Sequence, residues 1–91
     1  MNSLQTHIEN YLTYCRYKKR LDEKTLKAYR IDLNQFLTYF SQKLLSEISP
    51  DMLEAFIADL HQKYRPKTVK RKIASLKALF RYFECKDLLE Q

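Results

Sequence analysis

The chain has 91 residues, of which 45% are hydrophobic and 31% are charged, and this balance fits one small globular domain spanning residues 1–91. Its formal net charge of +6 favours an anionic partner, either nucleic acid or a membrane surface. The absence of glycine excludes a glycine-rich phosphate loop, a dinucleotide-binding loop and an EF-hand, and it disfavours the hairpin turns of β folds.

Cysteine usage and hydropathy indicate the cellular compartment of the protein. Cys15 and Cys85 are the two cysteines, and they lie far apart in no metal-binding spacing. We expect no disulfide framework, which fits a reducing cytoplasm, and we assign Cys15 to the core as a small apolar residue. No stretch has the length of a signal peptide core or of a membrane span, so we expect a cytoplasmic protein with no membrane partner.

The first predicted helix covers about residues 3–18, with Ser3 as its N-cap. Its apolar stripe consists of Leu4, Ile8, Tyr11, Leu12 and Cys15. A basic cluster of Lys18, Lys19 and Arg20 follows the stripe. This cluster either interacts only with the negative end of the helix dipole or also contacts phosphate, and the pattern leaves both open.

The second predicted helix covers about residues 22–41, with Asp22 as its N-cap. Two apolar residues, Ile31 and Tyr39, fall outside its stripe. They either pack on a neighbour in the full protein or lie exposed. The stripe itself consists of Leu26, Tyr29, Leu33, Phe36, Leu37 and Phe40.

A connector over Ser41–Ile48 leads to the third predicted helix at about residues 49–63. Ser49 is the expected N-cap, and Pro50 suits the first helical position. Its stripe consists of Leu53, Phe56, Ile57, Leu60 and Tyr64. With the fourth helix below, the pattern predicts an all-α fold, a compact four-helix bundle whose stripes share one core.

The fourth predicted helix begins at Pro66 and covers about residues 66–84. Between Asp59 and Glu84 the sequence has no acidic residue. One side has Val69, Ile73, Leu76, Phe80 and Phe83, with Leu79 at the edge; the other has Lys67, Lys70, Arg71, Lys77 and Arg81, with Ala74, Ser75 and Ala78 between them. A positive face with small residues at its centre is typical of a helix that binds a nucleic-acid groove, although a solvated surface helix is the alternative.

Catalytic constellations are absent from the pattern. His7 and His61 have no partner at metal-ligand spacing, and we expect neither a metal nor another cofactor. Thr25 and Thr68 each follow a lysine near a helix start, as Lys24-Thr25 and Lys67-Thr68. They either cap their helices locally or hold phosphate, and both roles remain open.

Three segments together resemble one family. LDEKTLKAYRIDLNQF (residues 21–36) resembles the second helix of the N-terminal domain of phage-integrase-type tyrosine recombinases, with a threonine, a tyrosine four residues on, an acid–leucine pair and a phenylalanine. ISPDMLEAFI (48–57) resembles the entry to that domain's third helix, and KTVKRKIASLKALFRYF (67–83) resembles its fourth. One departure is Asp22, which stands where serine is most usual in the family.

The resemblance implies a SAM-like core-binding domain that lies on duplex DNA opposite the catalytic domain of the same recombinase. It implies that the second and fourth helices face the DNA. The family's catalytic set is not found in this sequence, so it implies a non-catalytic domain, and strand exchange would need neither metal nor nucleotide. The DNA-binding residues implied by position are Lys24, Thr25, Lys67, Thr68, Lys70, Arg71, Ser75 and Lys77.

An alternative function is a helical protein-interaction module that assembles multimers. Ile31, Tyr39 and the Leu88-Leu89 segment would then form the contact patch, and the basic face would be incidental. The two functions are compatible, because recombinases of the family assemble as multimers on DNA. A stand-alone enzyme is disfavoured by the missing constellations, and RNA binding is disfavoured because the aromatic residues lie on apolar stripes.

Overall fold

The computed structural model describes residues 3–40 and 43–88. These residues form α1 (Leu4–Tyr17), α2 (Glu23–Tyr39), a short 3₁₀-helix (Leu45–Glu47), α3 (Pro50–Lys63) and α4 (Pro66–Cys85), and no strand. The prediction of an all-α fold is therefore confirmed. The helix ends lie within one residue of the expected ones, except that the expected end of the second helix at residue 41 lies outside the described ranges.

Three of the four helices begin at the capping residues expected from the sequence. The side chains of Ser3, Asp22 and Ser49 each accept a hydrogen bond from the amide three residues on, at 3.2, 2.8 and 3.2 Å respectively. Such caps satisfy amides that have no partner within the helix. The N-cap of α4 is Arg65, whose side chain makes no capping hydrogen bond.

The chain divides into two compact units, the first of which contains α1 and α2. Here α1 packs against α2. Cys15 is fully buried, as expected, and burial raises the pKa of its thiol. The buried apolar side chains of this unit are Leu4, Ile8, Tyr11, Leu12, Cys15, Leu26, Leu33, Phe36 and Phe40.

The turn between α1 and α2 contains an unusual backbone conformation. Lys18 is the C-cap of α1, and Arg20 has φ of 55°, in the left-handed region. The amide of Leu21 then donates to the carbonyl of Cys15 at 3.1 Å, which closes the turn. A left-handed conformation is easiest for glycine, and this chain has none.

The second unit contains the 3₁₀-helix, α3 and α4, and α3 packs against α4. Phe56 and Leu60 of α3 are buried, whereas the sequence placed Tyr64 on the same stripe and the structure leaves it 37% exposed. Tyr64 is the C-cap of α3 in an extended conformation, so helical periodicity no longer sets its direction. Its ring instead lies 4.9 Å from Nζ of Lys72. That all four stripes share one core stays a prediction.

The buried side of α4 is rotated relative to the predicted stripe. Leu79, expected at the edge, is fully buried, and Ile73 and Phe80, expected at the centre, are half-buried. Two polar residues, Lys72 and Ser75, lie within the buried arc. The buried residues of α4 are Val69, Lys72, Ser75, Leu76, Leu79 and Phe83.

Candidate nucleic-acid interface

The outward side of α4 has a row of cations, which we call the α4 basic face. It consists of Lys67, Lys70, Arg71, Lys77 and Arg81, and all five side chains are exposed. Their spacings of three, one, six and four residues keep them on the side of the helix opposite Leu79 and Phe83. Burial of the apolar arc of α4 therefore points these cations to solvent.

Most of this positive charge is not neutralised within the protein. In the described part of the chain, Lys67, Lys70, Lys77 and Arg81 form no ion pair. A solvated surface helix usually mixes both signs of charge at spacings of three and four residues. The α4 basic face therefore presents uncompensated positive charge to an external partner.

The structure places Ser75 differently from the sequence prediction. The sequence placed it among the small residues at the centre of the basic face, but it is only 3% exposed. Its hydroxyl donates to the carbonyl of Arg71 at 3.3 Å, one turn earlier in α4. Because the buried arc is centred nearer Leu79 than the sequence indicated, Ser75 falls inside it. The small residues that do lie along the outward side are Ala74, which is exposed, and Ala78, which is half-buried.

The start of α4 adds backbone donors beside the basic face. Arg65 contributes no side-chain cap, and Pro66 occupies the first turn of the helix. Lys67 is exposed and Thr68 is half-buried. The first amides of a helix have no partner within the helix, and they lie at the positive end of its dipole, so this end of α4 suits an anion.

A shallow cleft lies alongside the basic face within the second unit. It has a volume of about 300 Å³, and its walls come from the end of α3 and the first half of α4. Carbon surface of Val69, Ile73 and Ala74 lines it, together with the lysines Lys70 and Lys77. The cleft therefore combines apolar carbon surface with two ammonium groups beside it.

At the start of α2, the adjacent residues Lys24 and Thr25 differ in their exposure. Lys24 is exposed, whereas Thr25 is half-buried. The amide and the hydroxyl of Thr25 both donate to the carboxylate of Asp22, and these bonds, with a smaller effect of Lys24, lower the pKa of Asp22 below its ordinary value. This arrangement favours the capping role for Thr25.

The exposed side of α2 defines a second surface, the α2 outer face, which consists of Lys24, Lys27, Ile31, Asn34 and Thr38. Within this chain Ile31 does not pack against the core and is 55% exposed. Sequence reasoning did not select Lys27 or Asn34 as site residues. The signal that would have found them is their helical spacing from Lys24.

The proposed protein-contact patch is less well supported. Tyr39 is 46% exposed, but its ring lies 4.8 Å from that of Phe40 in an edge-to-face contact. Leu88 is half-buried, and Leu89 lies outside the described residues. Ile31 and Tyr39 are eight residues apart on α2, so about 80° and 12 Å separate them.

Cations elsewhere in the first unit are partly neutralised. Arg16 pairs with Glu23, and Arg30 pairs with Glu9 at 3.2 Å, so both pairs join α1 to α2. An open cleft of about 430 Å³ lies beside these pairs. The cations of the basic cluster in the turn, Lys18, Lys19 and Arg20, are all exposed.

Residues 3–40 and 43–88 contain neither a candidate metal site nor a candidate membrane span. No group of three or more histidine, cysteine, aspartate or glutamate side chains is arranged to hold a metal ion. No helix in these ranges is both long enough and apolar enough to cross a membrane.

Comparison with known proteins gives a consistent family. The protein-family model for the phage integrase N-terminal SAM-like domain matches residues 8–85. A tyrosine recombinase of Agathobacter rectalis is 55% identical over 91 residues, which are all of this chain and 30% of that protein. A tyrosine recombinase XerC of Herpetosiphon aurantiacus is 33% identical over 85 residues, 89% of this chain and 28% of the relative.

A third relative, a tyrosine recombinase of Thermosipho africanus, is 33% identical over 88 residues, 90% of this chain and 31% of its own length. The chain thus spans about a third of the length of the curated relatives that it matches. No solved structure gives a significant match.

Proposed function

The chain belongs to the family of phage integrase N-terminal SAM-like domains, and we propose that it binds duplex DNA for a site-specific tyrosine recombinase. The observation behind this proposal is the α4 basic face, where five exposed cations follow one side of a helix and four of them form no ion pair within the described residues. Duplex DNA is the partner whose shape and charge fit such a row, because an α-helix enters the major groove and phosphates line both of its edges.

On this proposal the contacts of α4 are mainly to phosphate. Lys67, Lys70, Arg71 and Lys77 displace counterions from the DNA backbone, which supplies affinity without sequence preference. Thr68 and the first amides of α4 hold a phosphate at the positive end of the helix dipole. The exposed Ala74 lets the helix approach the backbone closely.

The α2 outer face is the second proposed contact. Lys24 is exposed at its start, where it can neutralise a phosphate. Thr25 contributes by orienting the first turn of α2 through Asp22 rather than by touching DNA. Ser75 has no contact in this proposal, because its side chain is buried.

The activity of the parent protein follows from its relatives as a further part of the proposal. The tyrosine recombinases of Agathobacter rectalis and Thermosipho africanus are about three times the length of this chain. We propose that strand breakage and rejoining belong to a catalytic domain of the same recombinase, with this chain as the non-catalytic part that positions it on DNA. We further propose that the recombinase forms multimers on DNA and that it lies in the cytoplasm with access to the chromosome. Its reaction would need no cofactor.

The first experiment measures binding of the chain to a short random-sequence duplex by fluorescence anisotropy, at low and at near-physiological salt. Binding that falls steeply as salt rises is expected, because phosphate contacts release counterions. A charge-reversed variant with Lys70→Glu and Lys77→Glu is expected to lose binding at both salt concentrations while keeping its helical circular dichroism.

Absence of binding even at low salt would refute the proposal. The chain would then be tested for self-association by sedimentation, because a concentration-dependent dimer without DNA is what the interaction-module alternative predicts. Salt-independent binding would likewise contradict the role given to the α4 basic face.

A further inference from the structure

The α2 outer face places one apolar side chain among polar ones. Ile31 is 55% exposed, and the other members of this face, Lys24, Lys27, Asn34 and Thr38, are all polar or charged and exposed. At 100° per residue the five positions lie within about 80° of arc and span about 21 Å of helix axis. The face therefore combines cations, hydrogen-bonding groups and one branched hydrocarbon side chain.

A protein partner does not explain this pattern well. Protein docking surfaces bury continuous apolar patches, and isolated exposed apolar residues do not form one. The other large exposed apolar side chain of α2, Tyr39, lies about 12 Å along the helix from Ile31 and is turned by about 80°. The neighbours of Ile31 three and four residues away on α2 are Lys27, Ala28, Asn34 and Gln35, of which only Ala28 is apolar.

The major groove of DNA offers the matching chemistry. Its floor presents hydrogen-bonding base edges, and thymine adds a methyl group that apolar side chains contact. Its edges are phosphates, which lysines neutralise. An α-helix about 10–12 Å in diameter fits a groove about 12 Å wide, so a residue at the middle of an exposed helix face reaches the base edges.

We propose that Ile31 contacts the C5-methyl group of thymine, and that α2 thereby selects A·T base pairs in the major groove. Asn34, one turn further along, hydrogen-bonds the edge of adenine through its amide, which makes no hydrogen bond within the described residues. Lys24 and Lys27 neutralise the flanking phosphates. This inference rests on the proposed function, and it adds the class of base pair that the site recognises.

The test compares two duplexes that differ only in the methyl group. One is a short duplex of alternating adenine and thymine, and the other has uracil at every thymine position. The wild-type chain is expected to bind the thymine duplex about fourfold more tightly for each methyl group contacted, the factor that corresponds to burying one such group. The Ile31→Ala variant is expected to bind both duplexes equally, with the affinity that the wild type has for the uracil duplex.

Two further variants separate this contact from other effects. Ile31→Val keeps a branched apolar side chain and is expected to retain most of the preference for thymine. Asn34→Ala is expected to weaken binding to both duplexes by the same factor, because both contain adenine. Ile31 is exposed, so the alanine variant is expected to fold normally, and circular dichroism checks this.

The outcomes distinguish the inference from the function on which it rests. Salt-dependent binding of the wild type to both duplexes with equal affinity would refute thymine recognition and leave DNA binding standing. A preference for thymine that persists in Ile31→Ala would also overturn the inference, because the methyl group would then be recognised elsewhere. No binding to either duplex would refute both.

Discussion

Removing two lysines from the α4 basic face gives a quantitative test of the proposed interface. In the Lys70→Ala/Lys77→Ala variant, both substituted residues are exposed and form no ion pair in the described part of the chain, so little internal stability is lost. Each phosphate contact changes the slope of log affinity against log salt by about 0.9. The double variant is therefore expected to have a slope shallower by about 1.8.

The same relation gives the loss of affinity. If the two contacts act entirely through counterion release, the variant binds about 60-fold more weakly at about 0.1 M salt and about 20-fold more weakly at about 0.2 M. Anisotropy titrations of a random duplex over this range measure both the slope and the loss. The effect shrinks as salt rises, which separates it from a general loss of folded protein.

The matched control removes the same charge from elsewhere in the second unit. Lys43 and Lys86 are exposed and lie outside the α4 basic face, since Lys43 precedes the 3₁₀-helix and Lys86 is the C-cap that follows α4. The Lys43→Ala/Lys86→Ala variant is expected to change the slope by much less than the basic-face variant. Equal losses in the two double variants would show that net charge, not this face, drives binding.

Two further predictions concern stability. The hydroxyl of Ser49 accepts a hydrogen bond from the amide of Met52 at 3.2 Å and so caps α3. Ser49→Ala removes this cap, and we expect it to lower the free energy of unfolding, measured by urea denaturation, by about 1 kcal/mol. The lowered pKa of Asp22 means that its charge stabilises the fold fully above its ordinary value of 3.8, and that this contribution is lost as the pH falls through the folded value. The Asp22→Asn variant can still cap the helix but has no charge at this position. We expect it to lose less stability than the wild type when the pH falls from neutral to about 2. Equal losses in the two proteins would contradict a stabilising role for the charge of Asp22.

Local signals in the sequence predicted the helices well. Ser3, Asp22 and Ser49 are short polar residues just before apolar periodic segments, and each was confirmed as an N-cap. Pro66 marked the beginning of α4 because its ring cannot continue a preceding helix. Such signals act over three or four residues, so they do not depend on tertiary packing.

The direction of side chains was predicted less accurately. The stripe of α4 was centred on its apolar residues alone, so Lys72 and Ser75 were not expected to be buried. A lysine has a long hydrocarbon stem, and a serine can return its hydroxyl to a helical carbonyl, so both can lie inside. Which polar residues do so depends on the surfaces that pack around α4, and periodicity has no information about these surfaces.

In the candidate site, too, some side-chain directions were predicted correctly and others were not. The five cations of the α4 basic face are exposed as expected, because long charged side chains are strongly biased to the surface. Short polar residues lack that bias, and Ser75 was misplaced for this reason. Ile31 was ambiguous in the sequence, since an apolar residue outside the stripe fits both packing on a neighbour in the full protein and exposure; within this chain it is 55% exposed.

The left-handed turn at Arg20 has a consequence for how this chain can be altered. Arg20 adopts φ of 55° without being glycine, a conformation that costs an L-residue roughly 1 kcal/mol. A glycine there would relax the turn and delete one cation of the basic cluster in a single step. Stability and charge at this position are therefore opposed, so a screen for thermostable variants would enrich substitutions that weaken attraction to a polyanion. Library design should hold residue 20 fixed, or restore the lost charge at a neighbouring exposed position.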